Sequence, residues 1–528
     1  MYSKPKETES LYPTDVYQIG AQWADSIYNI LTEEERIAQL FWIAIENPDN
    51  KVAFDRYKKL IENNQPGGII LFRMTPQKAQ EVIAEYQSIS KIPLIVSIDG
   101  ENGVAMRFSG VVEFPKAMTL GAIRDDSLIY AMGLEIARQC KIMGIHANLA
   151  PVADINSNPK NPVIGVRSYG DNPKNVARKA SAYMQGLQDG GVMAVAKHFP
   201  GHGDTDTDSH KTLPQINHNR ARLDSVELFP FKTLANEGIW GIMSSHLEVP
   251  ALEPKTNIPA TFSSNIMKNI LKNEFNFTGL VISDAVNMKG AKIMGKPGEV
   301  DALALAAGND IILFTENLPE AINKVKEFIN DKKITAQEIE DKCKRSLAFK
   351  YFLTQNDTIK IAPEKLLSEL NSPEAKKLNR QLYEAAVKVI SNKNNVIPIK
   401  DNSEKWGCFI IGDISNFEKI INQQPNIELF KLPLNNDANF QEVFKKAKNY
   451  TNIIFVVADE SWGRNTANNS KKQQIYDIAK SSKSIFVFMG NVYRFSNWRT
   501  YNIFDGTLVV YQKTPEAQEA MVKRLIKK

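Results

Sequence analysis

Short apolar runs alternate with helical patterns through most of the chain. Eight of these runs have the length and composition of buried strands: 39–44, 69–72, 94–98, 147–152, 193–196, 242–245, 280–283 and 310–314. Helical periodicity separates most of them, as at 126–143 and 175–188. Such alternation indicates parallel strands joined by helical crossovers. About eight units in about 330 residues predict an α/β fold of the (β/α)8 TIM-barrel type, and a doubly wound open sheet is the structural alternative.

Polar residues stand at the carboxyl ends of five of these runs. Asp99 and Asp284 follow their runs directly, Asp154 comes shortly after the fourth run, and Lys197 and His246 continue the fifth and sixth. In a barrel the carboxyl ends of all strands meet at one face, where active sites are built. The pattern therefore predicts a polar site at that face.

The most polar segment is 197–210, which reads Lys-His-Phe-Pro-Gly-His-Gly-Asp-Thr-Asp-Thr-Asp-Ser-His. It holds three of the six histidines of the chain, three aspartates and a lysine. An apolar run leads directly into it, as expected for a buried strand that delivers a loop. Because burying titratable groups without a purpose is costly, the segment is interpreted as a site.

The residues of this loop leave three interpretations open. The first is a metal site, since Asp204, Asp206 and Asp208 imitate the start of a calcium loop. A calcium loop needs Gly at its sixth position and Glu at its twelfth, and Ser209 and Gln215 stand there. No zinc-ligand spacing is recognisable either. The second interpretation is a solvated polar turn beside a packed histidine.

The third interpretation is acid/base catalysis by Asp208 and His210, which lie two positions apart. Histidine titrates close to neutral pH. A neighbouring carboxylate orients the imidazole and favours its protonated form, which a general acid requires.

The loop resembles the signature of glycoside hydrolase family 3, in its β-N-acetylglucosaminidase branch. That branch carries Lys-His-Phe/Ile-Pro-Gly-His-Gly, four residues, then Asp-Ser/Thr-His, and 197–210 matches every fixed position. The segment 282–288 resembles the nucleophile segment of the family, and 165–170 resembles its substrate-binding arginine loop. Two weaker segments also read like the family: 31–40 and 66–72. The resemblance covers about residues 25–355.

The resemblance implies a retaining mechanism. Asp284 would be the nucleophile that forms a covalent glycosyl-enzyme, and His210, partnered by Asp208, would be the general acid/base. Most glycosidases use two carboxyl groups for these roles, whereas this branch uses the His-Asp dyad. The alternative for Asp284 is a helix N-cap after the strand, a position that Asp favours.

The resemblance also implies substrate-binding roles for Asp99, Arg167, Lys197 and His198, all of which would hold sugar hydroxyls. Lysine donates hydrogen bonds without accepting them, and the arginine fork directs them, so both suit an oxygen-rich ligand. The alternative for Lys197 is an internal salt bridge to Asp154 or Asp284.

One segment departs from the family. Many members read Asp-Gln-Glu-Gly-Gly where this chain reads Asp-Gly-Glu-Asn-Gly at 99–103, so no role is transferred to Gly100 or Asn102. Arg107 and Phe108 match a family pair and are expected to be structural. The same expectation of packed, hydrogen-bonded side chains applies to three histidines: His146, His202 and His246.

The predicted domains are a polar N-terminal leader at 1–24, the catalytic barrel at 25–355, a linker at 356–376 and a smaller α/β sandwich at 377–528. The sandwich resembles the second domain of the family. In other branches that domain supplies the acid/base carboxylate, but here His210 takes that role, so we expect the sandwich to be structural.

Composition and charge exclude several classes of protein. The net charge of +5 arises from 65 basic and 60 acidic residues that are spread along the chain, which argues against nucleic acid as a partner. The three cysteines at 140, 343 and 408 show neither a disulfide framework nor a zinc spacing. No cofactor or metal is expected. No apolar run of about 18 residues exists, so no transmembrane segment is predicted.

The function predicted from these features is that of a retaining exo-acting β-N-acetylglucosaminidase. Its substrates would be terminal β-linked N-acetylglucosaminides, with cell-wall fragments and peptidoglycan recycling among the candidates. Three alternatives stay open: a glycoside phosphorylase on the same scaffold, an inactive carbohydrate-binding protein, and a metal-dependent barrel hydrolase. The sequence is compatible with a monomer. The polar start reads as a tether left after signal trimming, which favours the cell envelope over the cytoplasm.

Overall fold

The computed structural model describes residues 11–207, 212–355, 361–400, 403–433, 437–459, 469–498 and 501–527. Asp208 and His210 lie outside these residues. The chain divides into two compact units, one of residues 1–117 and 126–376, the other of residues 118–125 and 377–528.

The first unit contains an eight-stranded parallel sheet whose strands follow one another in chain order around a barrel. A bridge between Ile282 and Ile311 joins the seventh strand to the eighth and closes it. The strands are β1 (Phe41–Ile45), β2 (Gly68–Leu71), β3 (Ile95–Ile98), β4 (Ala147–Asn148), β5 (Met193–Phe199), β6 (Gly241–Ser244), β7 (Leu280–Ser283) and β8 (Ile312–Leu313). Each overlaps one of the eight apolar runs, so the predicted barrel is confirmed and the open sheet is excluded.

The strands are apolar because both of their faces are buried. Alternate residues point into the barrel and form one apolar cluster, which includes Trp42, Ile70, Ile95, Met193 and Leu280. A packed interior of this kind leaves no room for a ligand between the strands, so any site must lie at their ends.

Helices occupy the connections between the strands. Those before position 373 are α1 (Pro13–Ile30), α2 (Glu33–Ala38), α3 (Lys51–Asn64), α4 (Pro76–Ile89), α5 (Ala117–Gly121), α6 (Ser127–Met143), α7 (Pro173–Asp189), α8 (Arg220–Ser225), α9 (Phe229–Asn236), α10 (Lys289–Lys292), α11 (Glu299–Ala307), α12 (Leu318–Asn330), α13 (Ala336–Thr354) and α14 (Leu366–Leu370). A π-helix spans Asn265–Glu274, and 3₁₀ turns span Val104–Met106, Gly165–Arg167 and Ala260–Phe262. Proline lies in the first turn of α4, α7 and α12, where its missing N–H is not needed.

Residues 13–24 differ from the polar leader that the sequence suggested, because they belong to α1. Val16, Gly20 and Ala24 are buried at helical spacing. The helix packs closely on α13: a Cβ at Gly20 would lie 2.2 Å from the carbonyl oxygen of Ala348. A small residue at position 20 is therefore what permits this contact.

The second unit is built on a six-stranded sheet of order β11-β10-β12-β13-β14-β9, in which only β9 is antiparallel to its neighbour. Its strands are β9 (Lys388–Asn392), β10 (Trp406–Ile411), β11 (Ile427–Lys431), β12 (Asn452–Asp459), β13 (Lys483–Gly490) and β14 (Gly506–Val510). Its helices are α15 (Pro373–Ala386), whose first residues belong to the first unit, α16 (Ser415–Ile421), α17 (Asp437–Ala447), α18 (Asn469–Lys480) and α19 (Pro515–Leu525). Apolar residues cover both sheet faces, as in the predicted sandwich.

The predicted linker at 356–376 is partly helical. Within its described residues, 361–376, it contains α14 and the first turn of α15. Among the described residues, no helix has both the length and the apolar character needed to cross a membrane.

Candidate active site

Polar side chains gather where β3, β5 and β7 end. Asp99 follows β3 directly, Lys197 and His198 belong to the last residues of β5, and Asp284 follows β7. Because parallel strands end at the same face of a barrel, residues that are far apart in the chain come together there. The predicted polar site is therefore present at the carboxyl ends of the strands.

The end of β5 brings two consecutive side chains into this site. The register between β5 and β6 shifts between Ala196 and Phe199. In a regular strand Lys197 and His198 would point to opposite faces. The irregularity lets both contact the same polar cluster.

Lys197 is the centre of that cluster. Its side chain is 2% exposed, and its Nζ donates to Asp99 Oδ1 at 2.7 Å and lies 3.0 Å from Glu101 Oε1. The salt-bridge alternative for Lys197 had named Asp154 or Asp284, but the acceptors are these other two carboxylates. A buried ammonium with two anionic partners is held in one position, with one of its three protons left for a further acceptor.

Glu101 links Lys197 to the arginine loop. The guanidinium of Arg167 donates to both oxygens of Glu101, at 2.6 Å from Nη2 to Oε1 and 3.0 Å from Nε to Oε2. Nη2 also lies 3.3 Å from Nε2 of His198. The sequence analysis had assigned no role to Glu101, which stands in the segment that departs from the family pattern. The sequence feature that could have identified Glu101 is its position two residues after Asp99, an aspartate at the end of a strand.

Arg107 completes the cluster on the other side. Its Nη2 donates to Oδ2 of Asp99 at 2.7 Å, so this residue, expected to be structural, also reaches the site. Two carboxylates, Asp99 and Glu101, face the three cations Lys197, Arg107 and Arg167 here.

These ion pairs control the ionisation of the two carboxyls. Burial by itself raises the pKa of both groups, but the cations outweigh it. Lys197 and Arg107 hold the pKa of Asp99 below its usual range. Arg167 and Lys197 do the same for the pKa of Glu101. Both carboxylates are therefore ionised at neutral pH and act only as hydrogen-bond acceptors.

Asp154 is a further carboxylate of the site, and it orients His198. It is fully buried, and its Oδ2 lies 2.6 Å from Nδ1 of His198. Burial raises the pKa of Asp154, but His198 and His202 outweigh burial and lower it. Since Arg167 can only donate, Nε2 of His198 must accept from it. His198 therefore carries its proton on Nδ1 and donates it to Asp154.

His202 lies beside this pair. Its backbone N–H donates to Oδ1 of Asp154 at 2.7 Å, and its Nδ1 lies 2.9 Å from the Thr205 hydroxyl. Burial lowers the pKa of His202 to about 4, and the carboxylates of Asp154 and Asp284 offset part of that fall. His202 is neutral at neutral pH, as expected for a packed histidine, and Asp284 lies near enough for its carboxylate to affect the pKa of His202.

Asp284 is partly exposed at the end of β7. Its backbone N–H donates to the carbonyl of Ser244 at 2.9 Å, and its Oδ1 accepts the N–H of Ala285 at 2.7 Å. The next helix, α10, has Met288 at its N-cap position, so Asp284 does not cap it. Its second oxygen, Oδ2, has no hydrogen bond recorded among the described residues, which suits a group that meets a ligand.

The loop that follows β5 is anchored where the structure describes it. A Cβ at Gly203 would lie 1.7 Å from the carbonyl oxygen of Ile155, so only glycine fits there. The amide of Asn161 donates to the carbonyl of His202 at 2.8 Å. Asp208 and His210, the predicted acid/base pair, lie outside the described residues, so their geometry is not part of the site described above.

A cavity of about 680 Å³ opens at the carboxyl ends of β1 and β8. Its lining includes Glu46, Arg56, Tyr57, Asn287 and Phe314. Asn287 lies three positions after Asp284, which places the cavity on the same face of the barrel. The sequence analysis assigned no role to any of these residues, although Asn287 lies within the segment 282–288 that it singled out.

Known proteins resemble the chain over much of its length. The family model described as "Glycosyl hydrolase family 3 N terminal domain" matches residues 32–348. "Beta-hexosaminidase A" of Pseudoalteromonas piscicida is 30% identical over 379 residues, which cover 66% of this chain and 62% of that protein. This chain thus spans less than two thirds of the length of that relative. "Beta-hexosaminidase" of Neisseria meningitidis serogroup C is 35% identical over 272 residues, 49% of this chain and 74% of that protein.

Solved structures agree over both units. A glycoside hydrolase family 3 β-N-acetylglucosaminidase from Paenibacillus sp. str. FPU-7 superposes with a TM-score of 0.73 and 27% identity, covering 93% of this chain and 96% of that one. A beta-glucoside phosphorylase has a TM-score of 0.80 and 20% identity over 97% and 95% of the two chains. At that identity the second likeness shows the fold alone.

Proposed function

The chain belongs to glycosyl hydrolase family 3, and from this premise we propose that it is a retaining, exo-acting β-N-acetylglucosaminidase whose reaction takes place on the barrel, residues 25–355. The observation that carries the proposal is the position of Asp284. A partly exposed carboxylate stands at a strand end beside a fully ion-paired polar cluster. The curated relatives reported above are named beta-hexosaminidases, which supports a β-linked N-acetylhexosamine as the sugar.

In the proposed first step, an Asp284 oxygen attacks the anomeric carbon while the bond from that carbon to the leaving oxygen breaks. The leaving oxygen takes a proton from His210. In the second step His210 removes a proton from water, the water oxygen attacks the anomeric carbon, and the ester to Asp284 breaks. Two inversions give net retention.

The role of His210 and Asp208 rests on their place in the family motif and on the chemistry of the pair. A carboxylate two positions away favours the protonated imidazole that the first step requires. Once Asp284 is esterified, its negative charge is gone. The pKa of His210 then falls, and the imidazole becomes the base that the second step requires.

The cluster around Lys197 is proposed to bind the hydroxyls of the cleaved sugar. Lys197 and Arg167 supply donors, and the ionised Asp99 supplies acceptors. Each of these groups is held by at least one ion pair. Binding therefore requires little reordering of side chains, which reduces its entropic cost.

The test is a panel of aryl β-glycosides with and without a 2-acetamido group, with proton NMR to identify the first anomer released. We expect turnover of the acetamido substrates and release of the β-anomer. Asp284→Asn should abolish turnover in a chain whose circular dichroism is unchanged. First release of the α-anomer, or full activity of Asp284→Asn, would overturn the mechanism.

The dyad is tested through leaving-group dependence. His210→Ala and Asp208→Asn should slow hydrolysis of substrates with poor leaving groups far more than that of activated aryl glycosides, since only poor leaving groups need a proton. Asp206→Asn is the matched control, because Asp206 lies two positions earlier in the same loop and is exposed. Equal losses on both substrate types would reject the acid/base role.

A glycoside phosphorylase is the second candidate, favoured by the histidine that stands where other branches use a carboxylate. An imidazole repels a phosphate nucleophile less than a carboxylate does. Phosphate-dependent release of a sugar 1-phosphate would identify this activity. Sugar binding without turnover in the wild-type chain would instead identify a binding protein. The same assay should include cell-wall fragments with a terminal N-acetylglucosamine, to test whether they are natural substrates.

A further inference from the structure

Three metal-ligating side chains meet outside the sugar cluster. Asp204, His218 and Glu227 each offer one ligand atom, and these atoms lie within 4.8 Å of one another. Asp204 belongs to the loop after β5, His218 precedes α8, and Glu227 lies between α8 and α9. In the structure Nε2 of His218 is 2.6 Å from Oδ2 of Asp204.

Glu227 is the unusual member of this group. It is 3% exposed. Arg222 Nη2 donates to its Oε1 at 3.3 Å, but its Oε2 has no hydrogen-bond partner among the described residues. A buried carboxylate oxygen without a partner is costly and needs an explanation. A cation at this point would satisfy it.

The segment that carries Glu227 is held against the loop after β5. Gly201 approaches so closely that a Cβ there would lie 3.0 Å from the Cβ of Glu227. On the open side, the side chains of His218 and Asp204 are 34% and 24% exposed. The group therefore combines a fixed buried ligand with two ligands that solvent can reach.

We propose that Asp204, His218 and Glu227 form a site for a divalent transition-metal ion, with zinc as the fitting representative. One imidazole and two carboxylates are a zinc ligand set, and water would take the fourth tetrahedral position. The imidazole disfavours calcium and magnesium, which prefer oxygen ligands alone. Tetrahedral zinc needs its ligand atoms about 3.3 Å apart, so Oδ2 of Asp204 and Nε2 of His218, which are 2.6 Å apart here, would separate slightly on binding.

The proposed ion would link two positions that are 14 residues apart in the chain. Asp204 and His218 flank residues 205–217, which include Asp208 and His210. A metal bound to both flanking residues restricts the conformations available to the chain between them. Metal binding does not depend on the proposed function. The effect of the metal on turnover does rest on the proposed function, because that effect would act through His210.

The binding test uses the full chain, stripped with chelator and dialysed against zinc chloride, with metal content measured by mass spectrometry. We expect one zinc per chain. His218→Ala and Glu227→Gln should each weaken zinc binding by at least about 10-fold, since even partners outside the first coordination shell are worth about 10–100-fold. Asp224→Asn is the matched control, because Asp224 is an exposed carboxylate on α8 that does not belong to the group.

Cobalt replaces zinc in a second measurement. The visible absorption of tetrahedral cobalt should appear in the wild-type chain and disappear in His218→Ala. Circular dichroism confirms folding of each variant, and Asp204→Asn replaces any variant that does not fold. Zinc binding that is absent in the wild type, or equally strong in the His218 and Glu227 variants, overturns the site and indicates adventitious ions at surface carboxylates.

The same preparations separate the two proposals. If the metal restrains the loop, zinc should change the turnover of poor-leaving-group substrates by wild type and leave that of His218→Ala unchanged. Stoichiometric zinc without any effect on turnover would overturn the link to the loop. Stoichiometric zinc in a chain that turns over no glycoside would overturn the proposed function while the metal site stands.

Discussion

Replacing Asp154 by asparagine tests whether a buried carboxylate fixes the tautomer of His198. Asp154 accepts at both oxygens: Oδ2 from Nδ1 of His198 at 2.6 Å, and Oδ1 from the backbone N–H groups of His198 and His202 at 3.2 and 2.7 Å. Asparagine keeps the shape of the side chain. It removes the charge and replaces one acceptor with a donor.

The magnitude follows from this count of donors and acceptors. If the amide group faces the two backbone N–H groups, donors face donors. If it faces Nδ1 instead, His198 must move its proton to Nε2, which then points at Nη2 of Arg167, 3.3 Å away. Either arrangement leaves a buried donor unpaired, at about 1–3 kcal/mol, and loses a charge-assisted bond of about 1.5–3 kcal/mol. We expect the free energy of unfolding to fall by about 3 kcal/mol.

The assay is urea denaturation followed by tryptophan fluorescence, together with kcat/KM on an aryl N-acetylglucosaminide. The pKa of Asp154 is lowered in the folded state. Its stabilisation is therefore present above the ordinary Asp pKa of about 3.9 and is lost as pH falls through the folded pKa. The difference in unfolding free energy between wild type and variant should narrow below about pH 4. In kcat/KM we expect a loss of about 10–100-fold, which is about 1.4–2.7 kcal/mol.

Asp301→Asn is the matched control. Asp301 is also fully buried, but it accepts a backbone bond from Gly298, and burial raises its pKa. A neutral amide should therefore be tolerated there within about 1 kcal/mol. An Asp154 variant as stable as wild type, or a control that loses as much as the test variant, would refute the argument.

Two further variants test other buried charges. Glu101→Gln removes one buried anion that pairs with Arg167 and Lys197, so thermal melting should show a destabilisation of about 3–5 kcal/mol. The KM for the aryl substrate should also rise, and an unchanged KM would contradict the role of the cluster in binding. Lys350 is buried against Gln39, and burial lowers its pKa from 10.5 to about 7. Between these two pH values the unfolded chain binds a proton at Lys350 that the folded chain does not bind, so the free energy of unfolding of the wild type should rise with pH from about 7 to 10.5. Burial also lowers the pKa of Lys342 to about 7, so Lys350→Met should show a smaller rise rather than none, and parallel pH profiles of wild type and variant would contradict the role of Lys350.

The fold was largely predictable because parallel strands are buried on both faces and read as short apolar runs. The helix at the start of the chain differs from the prediction for a local reason. The helix α1 carries many polar residues, and Gly20, whose small size lets the helix pack on α13, does not add to an apolar pattern in the sequence.

The candidate site was predictable where a residue stands at a strand end. Asp99, Lys197, His198 and Asp284 follow from that rule and from the family motif. The partners of Lys197 did not follow from that rule, and no feature of the sequence paired Arg107 with Asp99. Ion pairs form between residues from different strands and loops, and chain position does not encode which carboxylate lies nearest.

By itself, then, the sequence determined the barrel, the face that carries the site and the residue types at its strand ends, because burial and strand periodicity act locally along the chain. Only the tertiary structure decided that Glu101 joins Lys197 to Arg167, that Asp154 sets the tautomer of His198, and that His218 and Glu227 meet Asp204. These outcomes depend on distances of a few ångströms between remote segments, over which charge and hydrogen-bond energies change most steeply.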